Sequence, residues 1–94
     1  MQMQTLEHYA QIVESVTGHS PLAESRARPI VEARIVLASL LLDRGMTECE
    51  AGRAIGWDHS TIHHYREIMR DAKQYGTRPQ MVASYRQIKS ILDL

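Results

Sequence analysis

The 94-residue chain lacks the equipment of several protein classes. Its one cysteine, Cys49, excludes a disulfide within the chain. There is no run of about 18 or more apolar residues to span a bilayer. The opening Met1-Gln2-Met3-Gln4-Thr5 has neither the positive stretch nor the apolar block of a signal peptide. The expectation is a protein of the reducing cytoplasm, nucleoid-associated if it binds DNA, with no membrane partner. No nucleophile or carboxylate pair stands in a catalytic context, and Gly52-Arg53-Ala54-Ile55-Gly56 reads as helix and turn, not as a phosphate cradle. No enzymatic activity, catalytic residue or cofactor is expected. An ATPase, a doubly wound cofactor fold or a barrel enzyme does not fit this length, and one domain over residues 1–94 does.

Net charge is also missing: 11 Lys and Arg stand against 11 Asp and Glu. A neutral total argues against nucleic acid, because nucleic-acid binders are usually basic. The distribution argues otherwise. Residues 1–24 contain three acids and no Lys or Arg, whereas residues 25–44 contain Arg26, Arg28, Arg34 and Arg44 against two acids. Residues 45–58 are acidic again, and residues 59–94 carry six bases against three acids. Nine of the eleven bases are Arg, whose planar fork suits phosphates and base edges better than Lys does.

With 44% hydrophobic residues, the chain can build a small core. Leu6, Tyr9, Ile12, Val13 and Val16 recur at helical spacing, and Gly18 supplies a stop. Ser20 and Pro21 predict a short second helix, ended by Pro29, with residues 25–29 a basic loop. Ile30 to Arg44 contains no Gly or Pro and is apolar almost all round, which predicts the central buried helix. Thr47-Glu48-Cys49-Glu50 has the capping-box form and opens a short helix to Ile55. Asp58 is an N-cap candidate for a helix reaching Tyr75, before Gly76. Met81, Tyr85, Ile88 and Leu92 share a face of a final helix. No alternating segment reads as a strand, so the chain is expected to be all-α with five or six helices.

The pair of helices around Gly56 matches the requirements of a helix-turn-helix. Counting Glu48 as position 1, Gly52 falls at position 5, where the second helix crosses closely. Gly56 at position 9 takes the turn, and Ile62 at position 15 anchors the second helix. Ala51, Ile55 and Tyr65 add inward positions. The polar run Asp58-His59-Ser60-Thr61 then begins the second helix, the end of a recognition helix that touches base edges. Asp58 can accept from a cytosine amino group, His59 can donate to a purine acceptor, and Ser60 or Thr61 can contact a base edge or a phosphate.

Glu50-Ala51-Gly52-Arg53-Ala54-Ile55-Gly56, then Asp58-His59-Ser60-Thr61-Ile62 and His64, resembles the DNA-binding C-terminal domain of the bacterial replication initiator DnaA. That family has an acidic residue, a small pair, Phe-Gly-Gly-Arg-Asp-His-Thr-Thr-Val and then a His. The resemblance extends in order over nearly the whole chain. It implies a Trp-repressor-like helix-turn-helix that binds double-stranded DNA, with Asp58, His59 and Ser60 reading bases. It also implies backbone or supporting contacts from Thr61 and His64. The Arg26-Ala27-Arg28 loop, with Arg34 at the start of the long helix, corresponds to a basic loop that reaches the backbone or minor groove in that family. Arg66, with Arg70 and Lys73, offers further phosphate contacts. The departures are definite. Trp57 stands for the family's Gly-Arg, which shortens the turn by one residue, Ser60 replaces a Thr, and Ile68 replaces the usual Lys. A different sequence preference follows. The nucleotide-binding domain is absent from the chain, so ATP-driven initiation is not expected of it.

Rival readings of the same residues are weaker. His59 and His63 lie one helical turn apart and could share a metal, but Ser60 stands where a zinc-protease helix carries Glu, and no second ligand pair is visible. No metal is expected. Trp57 is expected to pack over the hairpin, and the stripe from Met81 to Leu92 to join the core. The expected function is sequence-specific DNA binding in replication or transcription control, with a second subunit or a replication or transcription protein as further partner. The alternative is a helical protein-interaction adaptor that keeps the helix pair as scaffold.

Overall fold

A computed structural model describes residues 3–94, with side chains from Thr5 onward. Five α-helices follow one another: α1 (Met3–Thr17), α2 (Arg28–Asp43), α3 (Glu48–Ile55), α4 (His59–Tyr75) and α5 (Pro79–Leu92). Among the described residues there is no strand, and no helix is long and apolar enough to cross a membrane. The chain is all-α.

The central helix is α2, which packs against each of the other four. Every residue from Ala33 to Leu41 is buried, so an apolar circumference in the sequence becomes a helix surrounded on all sides. Around it lie Leu6, Tyr9 and Val13 of α1, Ile62, Tyr65 and Met69 of α4, and Met81, Tyr85 and Ile88 of α5. Ile62 and Ile88 are fully excluded from solvent.

Local signals place the remaining boundaries. Thr47 accepts a hydrogen bond from the Glu50 amide while the Glu50 carboxylate accepts one from the Thr47 amide, so the capping box forms. At the far end of α3, Gly56 takes φ +93, which a side chain would strain. The short helix expected from Ser20 does not form. Residues 18–27 are irregular apart from a turn at Pro21 and Leu22. The carbonyls of Ala23 and Ser25, which a helix would turn toward its own amides, instead accept from the side chain of Arg34. Nor does Pro29 keep Arg28 outside α2. The helix opens at Arg28 with Pro29 in its first turn, where a missing N–H leaves no bond unmade.

Candidate nucleic-acid interface

The helix pair α3 and α4 is set by a close approach at Gly52. A Cβ on Gly52 would lie 2.5 Å from the carbonyl oxygen of Trp57, and the Gly52 carbonyl accepts hydrogen bonds from the amides of both Gly56 and Trp57. The turn is thus folded onto the body of α3, and α4 starts immediately beyond it. Ile62, Tyr65 and Met69 then face the core while His59, Ser60, His63 and His64 face solvent.

Asp58 caps α4. Its Oδ1 accepts from the Ser60 amide and the Ser60 hydroxyl, each at 2.7 Å. The hydroxyl and amide of Ser60, in that order, hold the Asp58 carboxyl below its ordinary range. Two of the three residues assigned to base reading therefore engage each other. His59 is the more open member: its side chain is 67% exposed, and its Nδ1 is 4.0 Å from Asp58 Oδ1. Thr61 is half-buried and donates its amide to the Asp58 carbonyl. His64 is exposed one turn beyond Ser60.

Farther along α4 the charges are paired. Glu48, from the first turn of α3, meets His63 Nδ1 at 3.0 Å and Arg66 Nη1 at 3.3 Å. The hydrogen bond from His63 is the main reason the Glu48 carboxyl is held below the usual carboxylate range. The other His63 nitrogen lies 3.3 Å from Glu67, and Arg70 reaches Glu67 and Asp71. Lys73 stands over the Tyr85 ring, 4.4 Å from its centroid, and burial pushes its ammonium below the ordinary lysine value. The Tyr85 hydroxyl donates to Asp43, and burial first, that bond second, push the phenol pKa up.

The basic loop divides into two fates. Arg26 and Arg28 are exposed, and Arg28 makes a 3.4 Å contact with Glu32, which also pairs with Arg78 at 3.0 Å. Arg34 does not belong with them: it is 1% exposed, which corrects its assignment as a DNA contact. Its guanidinium donates to the carbonyls of Ala23 and Ser25 and to the Tyr65 hydroxyl, and its Cζ lies 4.5 Å from the centre of the Trp57 ring. Trp57 is packed over the hairpin as expected, but on a cation. Nothing in the local spacing reveals the roles of Glu48 and Tyr65. The available signal for Arg34 was its position in a run otherwise without charge from Ala33 to Leu42, because a guanidinium carried into a core must find acceptors there.

Among the described residues, no group of three or more His, Cys, Asp or Glu is arranged to hold a metal ion, and Cys49 is an exposed free thiol. Comparisons with protein-family models, curated proteins and solved structures return no match to this chain.

Proposed function

We propose that this protein binds duplex DNA through a helix-turn-helix formed by α3 and α4, in a Trp-repressor-like arrangement akin to the DnaA C-terminal domain, and acts in replication or transcription control. The observation that carries the reading is the amphipathic division of α4. Its first two turns, capped by Asp58, present His59, Ser60 and His64 to solvent while Ile62 and Tyr65 lock the same turns to the core. A rigid helix end with exposed donors and acceptors suits the major groove. In this reading His59 is the principal base reader, with Asp58 and Ser60 contributing the groups their mutual bonds leave free. Arg26 and Arg28 contact the backbone beside the helix, and Thr61, His64 and Arg66 support its seating.

Selection from random duplexes tests the proposal. The wild-type protein should enrich a defined sequence, and the Arg26→Ala/Arg28→Ala double variant should bind that sequence more weakly at the same salt. Failure to enrich any sequence would remove the DNA reading.

One observation favours a second reading, a helical adaptor acting on a replication or transcription protein. Arg66 and Arg70 of α4 are matched by Glu48, Glu67 and Asp71, which weakens that stretch as a phosphate track. Binding that ignores salt and needs a protein partner would decide for the adaptor.

A further inference from the structure

A buried arginine with no carboxylate beside it is an expensive choice. Arg34 meets only neutral acceptors and an aromatic face, and its Nε has no hydrogen-bond partner. An apolar side chain of similar volume would occupy the space without taking a charge out of water, but it would leave the Ala23 and Ser25 carbonyls without this donor.

A guanidinium does what no apolar side chain can: it joins several segments with directional bonds. Nη2 holds the loop at Ala23 and Ser25, Nη1 reaches Tyr65 on α4 at 3.3 Å, and the flat face stacks on Trp57 in the turn. Ser25 is followed directly by Arg26, and Trp57 directly by Asp58 and His59. Both stretches assigned to DNA thus adjoin groups that Arg34 holds. The loop has little else to fix it. Buried Pro21 anchors its start and the Ala27 carbonyl, which accepts from the Ile30 and Val31 amides, anchors its end on α2; between them the remaining bonds are a 3.4 Å bond from the Ala23 amide to Ser20 and a 3.1 Å bond from the Ala27 amide to the Ser25 hydroxyl.

Resting on the DNA reading above, we propose that Arg34 is a positioning residue that makes Arg26 of the loop and the first turn of α4 one rigid grip, so that they engage a duplex together. A loop already ordered loses less conformational freedom on binding. Two contacts carried on one rigid body also depend on each other, because losing either lets the duplex shift against the remaining one.

The test is a double-variant cycle, read by fluorescence anisotropy on the duplex the wild type selects. Arg26→Ala, His59→Ala and their combination are measured in the wild-type and Arg34→Met backgrounds. With Arg34 present, the combined loss should fall short of the product of the single losses by about threefold or more, the signature of coupled sites. With Arg34→Met, the losses should simply multiply. Specific affinity should fall roughly tenfold while non-specific binding stays within about twofold, since only the relative placement of the two contacts is altered. Arg34→Lys should resemble Arg34→Met, because an ammonium cannot fork to two carbonyls and a hydroxyl while stacking on an indole. Far-ultraviolet circular dichroism checks that each variant is folded. If Arg34→Met does not fold, Tyr65→Phe removes only the bond to α4 and should lower the coupling in the same direction. Single losses that already multiply in the wild type, or a coupling factor unchanged in the folded variants, would overturn the clamp alone. Absence of any selected duplex would instead overturn the DNA reading.

Discussion

Gly52 and Trp57 touch through their backbones: the place a Gly52 side chain would occupy is taken by the Trp57 carbonyl oxygen, 2.5 Å from an ideal Cβ. In an unobstructed helix, Gly to Ala is stabilising by up to about 1 kcal/mol. Here the sign reverses, because the obstacle is backbone and cannot rotate away. Gly52→Ala should destabilise the protein by about 1–3 kcal/mol, the usual range for overpacking. At this chain size each kcal/mol lowers Tm by roughly 4–8 °C. A thermal melt followed by circular dichroism checks this, and an unchanged or raised Tm would show that the turn can lift off α3.

His59 separates folding from recognition. Its side chain is 67% exposed, so His59→Ala should change stability by no more than about 0.5 kcal/mol. Loss of a base contact should weaken binding to a selected duplex by about 1–3 kcal/mol while leaving binding to unrelated duplexes unaltered. Equal losses on every sequence would show that His59 places the protein and does not read bases.

Salt dependence measures how many cations meet phosphate. With Arg34 in the core and Lys73, although exposed, engaged on the Tyr85 ring, the remaining candidates are Arg26, Arg28, Arg66 and Arg70. About four phosphate contacts correspond to a slope near −3.5 in log Kobs against log salt. Titrations between low and moderate salt should give that slope. If Arg66 and Arg70 stay with their carboxylates the slope halves, and a slope near zero would support the adaptor reading instead.

Acid should weaken the helix pair first. Glu48, Glu50 and Asp58 are all held below their ordinary values by hydrogen bonds they accept, from His63, the Thr47 amide and Ser60 respectively. Since the folded state favours the ionised forms, their contribution is intact above the unfolded carboxylate range, about pH 4, and is lost as pH falls through the lower folded values. Tm should hold steady between pH 7 and roughly pH 5 and decline below about pH 4 as these three carboxylates take up protons. Asn caps a helix about as well as Asp, so Asp58→Asn should keep the cap and flatten part of the decline. A variant that declines as steeply as the wild type would show that the acid sensitivity comes from elsewhere.

Some of this was legible before any coordinates. The limits of α3, its capping box, the glycine turn and the Asp58 cap all depend on groups no more than a few residues apart, and a helix end satisfies its amides from that range or not at all. The prominence of α2 followed from an apolar stretch too broad to leave one side in water. The polar face at the start of α4 was visible for the same reason, since the helical period sorts Ile62 and Tyr65 from His59, Ser60 and His64.

Arg34 shows where that reasoning stops. The family resemblance grouped it with the arginines of the basic loop, whereas its neighbours in space are Ala23, Ser25, Trp57 and Tyr65. The same contacts unmade the short helix expected after Ser20, because the carbonyls it needed were drawn to the guanidinium. The pairing of Glu48 with His63 and Arg66 likewise joins two helices that no local pattern aligns. Sequence determined the five helices that form and which of their faces are apolar, because those properties are set by bonds and periodicities within a few residues. Which charges stay free for a partner and which are consumed inside the molecule was decided only when the five helices packed, because burial and pairing depend on segments distant along the chain.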